Sequence, residues 1–202
     1  MFKTIREKNR QWKEFKANLK KKSFSLYILV DIVETVLVAL ILALIIRKYV
    51  IQTSIVPTGS MIPTMEINDR LFVNKFIYRF KQPERGDIVV FKSPYQDGKD
   101  YVKRCIGLPG DKLEIKRGQV YIDNEQLILP GVKILLVTAD GNANELYKYY
   151  GPVTIPEASF FMMGDNRGNS LDSRVWGYVP KEDLLGKAVF TFWPLSRMKV
   201  LK

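Results

Sequence analysis

The stretch that most restricts what this chain can become runs from Leu26 to Ile46, LYILVDIVETVLVALILALII, with Asp31 and Glu34 as its only charges. A bilayer core of ~30 Å needs about 20 helical residues at ~1.5 Å each, and extending the run through Arg47 and Lys48 to Ile51 meets that length. Asp31 and Glu34 then fall toward the inner interface, three apart on one helical face, beside a cluster of lysines. Nine cations lie between Lys3 and Lys22, while only Arg47 and Lys48 closely follow the apolar run. That asymmetry places the N-terminus in the cytoplasm and everything after about Ile51 outside. No small-x-small cleavage site follows the run, and 22 residues is long for the basic region of a signal peptide, so the segment is expected to be an uncleaved single-pass anchor.

Charge is concentrated in the same place. The nine cations of the first 22 residues, set against Glu7 and Glu14, carry +7 of the net +11, which leaves +4 for the remaining 180 residues. The basicity is a property of the tail, read first as a flank that sets topology; with Trp12 and Phe15 interspersed, binding to acidic lipid headgroups or ribosomal RNA is the alternative, and no nucleic-acid partner is expected. Beyond the anchor the pattern changes to short alternating or apolar runs broken by Gly, Pro, Asn and Asp, which indicates an all-β domain. Strands are expected at 51–56, 70–75, 87–91, 101–106, 112–115, 119–122, 160–163 and 187–193, with one brief helix at 181–185. The stretch 129–156 has no clean period and reads as a variable insertion or long loop. The expected organisation is a basic cytoplasmic tail (1–25), a transmembrane anchor helix (26–50) and an extracytoplasmic β-rich domain (51–202).

The chain contains no histidine and a single cysteine, Cys105. A Ser-His-Asp triad, a histidine base, histidine metal sites and an internal disulfide are excluded at once. Ser60, in SIVPTGSMIPTM (54–65), sits between a glycine and a methionine with a proline three residues to either side. A turn built this way can aim a side chain outward, and Ser60 is the candidate nucleophile. Its base must come from elsewhere, and a lysine serves only when neutral. Lowering a lysine from about 10.4 to roughly 8 costs on the order of 3 kcal/mol, which burial among apolar groups imposes. DYVKRCIGLPGD (100–111) supplies such a strand. Lys103 alternates with Tyr101 and Cys105 on one face, Arg104 with Val102 and Ile106 on the other, so one of the two cations must face inward or into a cleft. A third element, GDNRGNSLDSRVWG (164–177), is a dense hydrogen-bonding loop. In its functional reading Ser170 hydrogen-bonds the lysine amine, while Asp172 and Arg174 pair to hold the loop.

An anchor followed by PTGSMIPT, GDIVVF, DYVKRCIGLPGD and GDNRGNSLDSRVWG in this order resembles bacterial type I signal peptidase, a Ser-Lys protease family, from the anchor to about Trp193. The resemblance implies that Ser60 attacks the scissile carbonyl and Lys103 takes its proton. It makes Thr58, with the Ser60 N–H, the oxyanion donor, Ser170 the lysine-orienting serine, and Asp172 with Arg174 the supporting ion pair. It sets Val56, Pro57, Met65, Tyr101 and Val102 along a shallow pocket for small residues, suited to A-x-A sites in the signal peptides of exported preproteins. It also implies a bacterial plasma (inner) membrane location, the bilayer and the substrate preprotein as partners, the translocation machinery as a further candidate partner, and no cofactor or metal. The interval from Gly110 to Gly164 is short for the family, so a reduced insertion is expected.

Rivals remain on the residues alone. A penicillin-binding or β-lactamase pattern needs S-x-x-K, and at that spacing Ser60 is followed by Pro63. A non-catalytic, membrane-anchored β module would leave Ser60 and Lys103 replaceable.

Overall fold

The computed structural model describes residues 2–129 and 148–201 and divides into two compact units, 1–48 and 49–202. In the first unit, helix α1 (Phe2–Lys22) is followed by helix α2 (Phe24–Tyr49). The 24 residues Phe24–Arg47 of α2 are long and apolar enough to cross a membrane, and no residue of their most apolar window is fully buried. The chain reverses around Ser23, so α1 returns along the start of α2. Lys16 Nζ thereby reaches Asp31 Oδ1 at 2.5 Å and Glu34 Oε2 at 2.8 Å, and Trp12 Nε1 donates to Glu34 Oε2 at 3.1 Å. A cation supplied by the chain itself thus sits against both acids of the apolar helix.

The second unit is β-rich, as its alternation predicts. Its strands are β1 (Ile51–Ile55), β2 (Arg70–Asn74), β3 (Ile88–Lys92), β4 (Asp100–Gly107), β5 (Lys112–Lys116), β6 (Gln119–Ile122), β7 (Glu125–Gln126), β8 (Tyr149–Thr154), β9 (Ser159–Met163), β10 (Val179–Pro180), β11 (Leu184–Trp193) and β12 (Lys199–Val200). Among the described residues they form two antiparallel sheets. The larger runs β1-β2-β11-β3-β4-β9-β10 with β12 on β11; the smaller runs β7-β6-β5-β8, its strands all lying between Gly110 and Gly164. A four-residue helix α3 (Ser173–Trp176) lies between β9 and β10.

Two local expectations change. Lys181–Asp183 makes a single 3₁₀ turn, and the next residues, Leu184 and Leu185, already belong to β11, because Leu184 pairs with Phe91 of β3. Within the stretch read as an insertion or loop, Tyr149–Thr154 is a strand paired with β5; residues 130–147 of that stretch lie outside the described residues.

Apolar side chains collect in three clusters. Val56, Met61, Met65, Leu71, Val73, Val90 and Val102 fill one, and it backs the turn that carries Ser60. Val89, Phe91, Cys105, Phe160 and Met162 fill a second on the opposite side of β3 and β4. Ile106, Leu113, Ile115, Phe161 and Met163 join the smaller sheet to the end of β4 and to β9. β4 is therefore covered on both faces, which is why all six residues from Val102 to Gly107 are buried.

Candidate active site

Two free strand edges flank the site. β1 pairs only with β2 among the described residues, and the first half of β4 pairs only with β3, since its pairing to β9 begins at Arg104. Gln52 of β1 donates through Nε2 to Asp100 Oδ2 of β4 at 3.0 Å, linking the two edges. A short 3₁₀ turn, Gly59–Met61, follows β1 and carries Ser60.

Lys103, on β4, reaches that turn. Its Nζ is 2.6 Å from Ser60 Oγ and 3.2 Å from the Val102 carbonyl, and it stands 5.8 Å from the Tyr101 ring centroid. The two residues keep 5 % and 8 % of their surface exposed. Burial pushes the lysine amine down from 10.5 to about 8, against the opposing fields of Asp172 and Asp165. Cys105, two residues along, is driven the other way, up to about 12 by the same desolvation, so it is not a competing nucleophile near neutral pH. A hydroxyl held at hydrogen-bond distance from an amine that loses its proton this readily is a pair able to deliver an alkoxide to an acyl group.

Thr58 Oγ1 donates to Ser60 Oγ at 3.4 Å, and its side chain is exposed beside the turn. Asp172 and Arg174 form the expected pair, bidentate at 2.8 and 2.7 Å and almost wholly buried. Asp172 Oδ2 also accepts the Gly164 N–H at 3.1 Å, and Asp172 caps α3 by accepting from the Arg174 N–H. The expected Ser170 bond to the lysine amine is not formed. Among the described residues Ser170 Oγ has no hydrogen-bond partner; it is buried and packs against Gly164, where a Cβ would overlap both it and the Ser60 carbonyl. The loop draws Ser170 to the backbone of β9's end, and the amine's second contact goes to Val102 O instead.

The expected pocket residues divide. Val56, Met65 and Val102 belong to the core, Met65 with no accessible surface at all, so they back the site; Pro57 and Tyr101 keep accessible surface beside it. Tyr101 packs against Trp176 at 5.5 Å between centroids.

Alternation along β4 requires only one inward cation, yet both are buried. Arg104, 1 % exposed, grips Asp165 bidentately at 2.8 and 2.7 Å and donates to Gly86 O at 2.6 Å. Asp165 also accepts from Thr64 Oγ1, four residues past Ser60. Asn166 was likewise not anticipated. Its N–H donates to Ser60 O and its Nδ2 to Gly59 O, both at 3.1 Å, so one residue holds two carbonyls of the turn that carries Ser60. The density of Asn, Asp and Ser in 164–170 was the available signal for such bonding; which carbonyls it serves depends on tertiary contact.

The sheet, the turn and the buried amine together make a candidate active site on a mainly β domain. The family described as signal peptidase, peptidase S26, matches residues 29–193. The chain is 41 % identical over 178 residues to a probable signal peptidase I-2 of Synechocystis, covering 83 % of this chain and 75 % of that one. It is 37 % identical over 168 residues to signal peptidase I S of Bacillus subtilis, covering 82 % and 90 %. A crystal structure of a signal peptidase I from Enterococcus faecalis aligns at 32 % identity with a TM-score of 0.42, covering 54 % of this chain and 98 % of that one. The chain belongs to the signal peptidase family, peptidase S26, and is a serine endopeptidase of the signal peptidase I type.

Proposed function

We propose that this chain removes signal peptides from exported preproteins with Ser60 as nucleophile and neutral Lys103 as general base. The observation that carries the reading is the 2.6 Å approach of Lys103 Nζ to Ser60 Oγ in a buried setting. With the amine neutral, the Ser60 hydroxyl donates its proton to Nζ as Oγ attacks the scissile carbonyl. The new oxyanion is met by the Ser60 N–H and the Thr58 hydroxyl. The ammonium then gives its proton to the leaving amine, and the acyl-enzyme is hydrolysed by water activated at the same amine. Asp172 and Arg174 act at one remove, fixing Gly164 and the end of β9.

The residues before the scissile bond bind as an extended strand between the free edges of β1 and β4. There main-chain hydrogen bonds supply affinity, and shallow side-chain pockets supply selectivity. Small residues fit because Val56, Met65 and Val102 close the floor. The apolar helix spans the bacterial plasma membrane once, with the basic tail inside and residues 51–202 outside.

Cleavage of a preprotein in non-ionic detergent by Ser60→Ala and Lys103→Met chains tests the pair. Both are expected to be inactive while unfolding as cooperatively as wild type. Full activity in either would overturn the assignment and favour a non-catalytic β module.

A further inference from the structure

Three guanidinium groups gather behind the turn 164–170, and two carboxylates answer them. Asp165 is taken bidentately by Arg104, and Asp172 bidentately by Arg174. The third is Arg167, on the 3₁₀ turn Arg167–Asn169. It is 4 % exposed, and its Nε donates to Gly164 O at 3.0 Å. Among the described residues no carboxylate lies within ion-pair distance of it, and Nε makes its one hydrogen bond. A guanidinium has five N–H donors in a fixed fork, so most of its capacity is unused. Burial without a partner is costly for a charge. It pulls Arg167 from 12.5 down to about 10, with the neighbouring Arg174 and Arg104 adding to the effect and Asp165 and Asp172 opposing it.

Arg167 also lines a cavity of about 160 Å³, together with Val120, Leu127 and Leu129 and with the exposed residues Gln119 and Gln126. We propose that this cavity binds a small oxyanion, a carboxylate or a phosphate, with the Arg167 guanidinium as its anchor. The fork matches two oxygens of such a group side by side. The volume lies well below the roughly 300–1,000 Å³ of sites for drug-sized ligands, which limits the occupant to a few non-hydrogen atoms. Val120, Leu127 and Leu129 leave room for a short hydrocarbon stem but for no second charge.

The site is wired to the nucleophile's turn. Arg167 holds the carbonyl of Gly164, and Asn166, its neighbour in sequence, holds the carbonyls of Gly59 and Ser60. An anion that compensates Arg167 therefore steadies the turn beneath Ser60. Binding itself does not depend on Ser60 and Lys103 acting as nucleophile and base, so a binding readout separates the two proposals.

The test uses the full chain in non-ionic detergent with chloride exchanged for inorganic phosphate in one arm and acetate in the other, at constant ionic strength. Isothermal titration calorimetry and the thermal midpoint are read in parallel. Saturable one-to-one binding is expected in at least one arm, with Tm rising as that anion is added; the arm that saturates assigns phosphate or carboxylate. Arg167→Gln is expected to weaken binding at least tenfold. Leu129→Trp, which fills the cavity and leaves Arg167 in place, is expected to do the same, and it decides the matter if the arginine variant does not fold. Both variants keep the basic tail, so a response unchanged in them would place the anion on the tail and overturn the proposal. Absence of saturable binding in both arms would overturn it as well.

Discussion

If Lys103 is the base, the rate of cleavage follows the fraction of its amine that is neutral. With the amine pushed down to about 8, that fraction is about 1 % at pH 6, about 9 % at pH 7, half at pH 8 and about 90 % at pH 9. kcat/KM is therefore expected to rise about 50-fold from pH 6 to pH 8 and less than about twofold from pH 8 to pH 9. A lysine at its ordinary value would give about tenfold for every unit through pH 9. The assay is the initial rate of preprotein processing in detergent at substrate below KM, and a tenfold step between pH 8 and pH 9 would refute the buried-base argument. Stability gives a second reading of the same burial. Between about 8 and 10.5 the unfolded chain holds a proton on this lysine that the native chain has lost, so stability rises with pH across that window. Below it the native state bears the whole cost, about 3 kcal/mol for a displacement of this size. Lys103→Met is then expected to raise stability at pH 7 by ~1–2 kcal/mol once the lost Ser60 hydrogen bond is subtracted. The gain disappears above pH 10.5, where the wild-type amine is neutral in both states.

Two further substitutions read the surroundings of Ser60. If Thr58 serves the oxyanion through its hydroxyl alone, Thr58→Val is expected to lower kcat by about 100-fold with KM little changed, and Thr58→Ser to keep activity within a few-fold; single-turnover rates for the two variants check this, and equal rates would remove Thr58 from the mechanism. Gly164→Ala would drive a Cβ into Ser170 and the Ser60 carbonyl, shifting the backbone of Ser60, so kcat is expected to fall by about 100-fold with a lowered Tm; wild-type turnover would show that the loop relaxes without moving Ser60.

The strands flanking the site were legible because each is a short apolar or alternating run closed by a turn residue, and local pattern suffices for that. β8 was not, because Gly151-Pro152 in its middle reads as a break. Proline is tolerated there because β8 is the edge of the smaller sheet, pairing with β5 alone among the described strands. Lys181–Leu185 reads as helical by composition, but Leu184 is claimed by its pairing with Phe91, which outweighs a weak propensity. At the site, Ser60 and Lys103 could be proposed because a chain without histidine leaves few bases. Arg104 could not be placed beyond the rule that one of two adjacent cations turns inward. Its burial rests on Asp165, 61 residues away, a partner that no local pattern reveals. Ser170 failed for the converse reason: its position in the loop was readable, but its rotamer depends on how tightly it packs against Gly164.

The two ion pairs explain how a lysine can lose its proton readily beside two carboxylates. Bare acids at these positions would hold the ammonium form. Asp172 is gripped by Arg174 and Asp165 by Arg104, each bidentately, so the lysine faces dipoles whose fields fall off faster than those of lone charges, and burial prevails. This gives a test in which one ion pair is opened from each side. Asp172→Asn removes the acid that opposes deprotonation and leaves the Arg174 charge, so the acid limb of kcat/KM is expected to move below pH 8. Arg174→Met leaves Asp172 uncompensated, so the limb is expected to move above it. Both variants lose a buried pair and are expected to be destabilised by about 3–5 kcal/mol, so loss of rate alone distinguishes nothing between them. Opposite displacement of the two limbs is the result that damage to packing does not produce, and displacement in the same direction would show that the pair serves only to hold the loop.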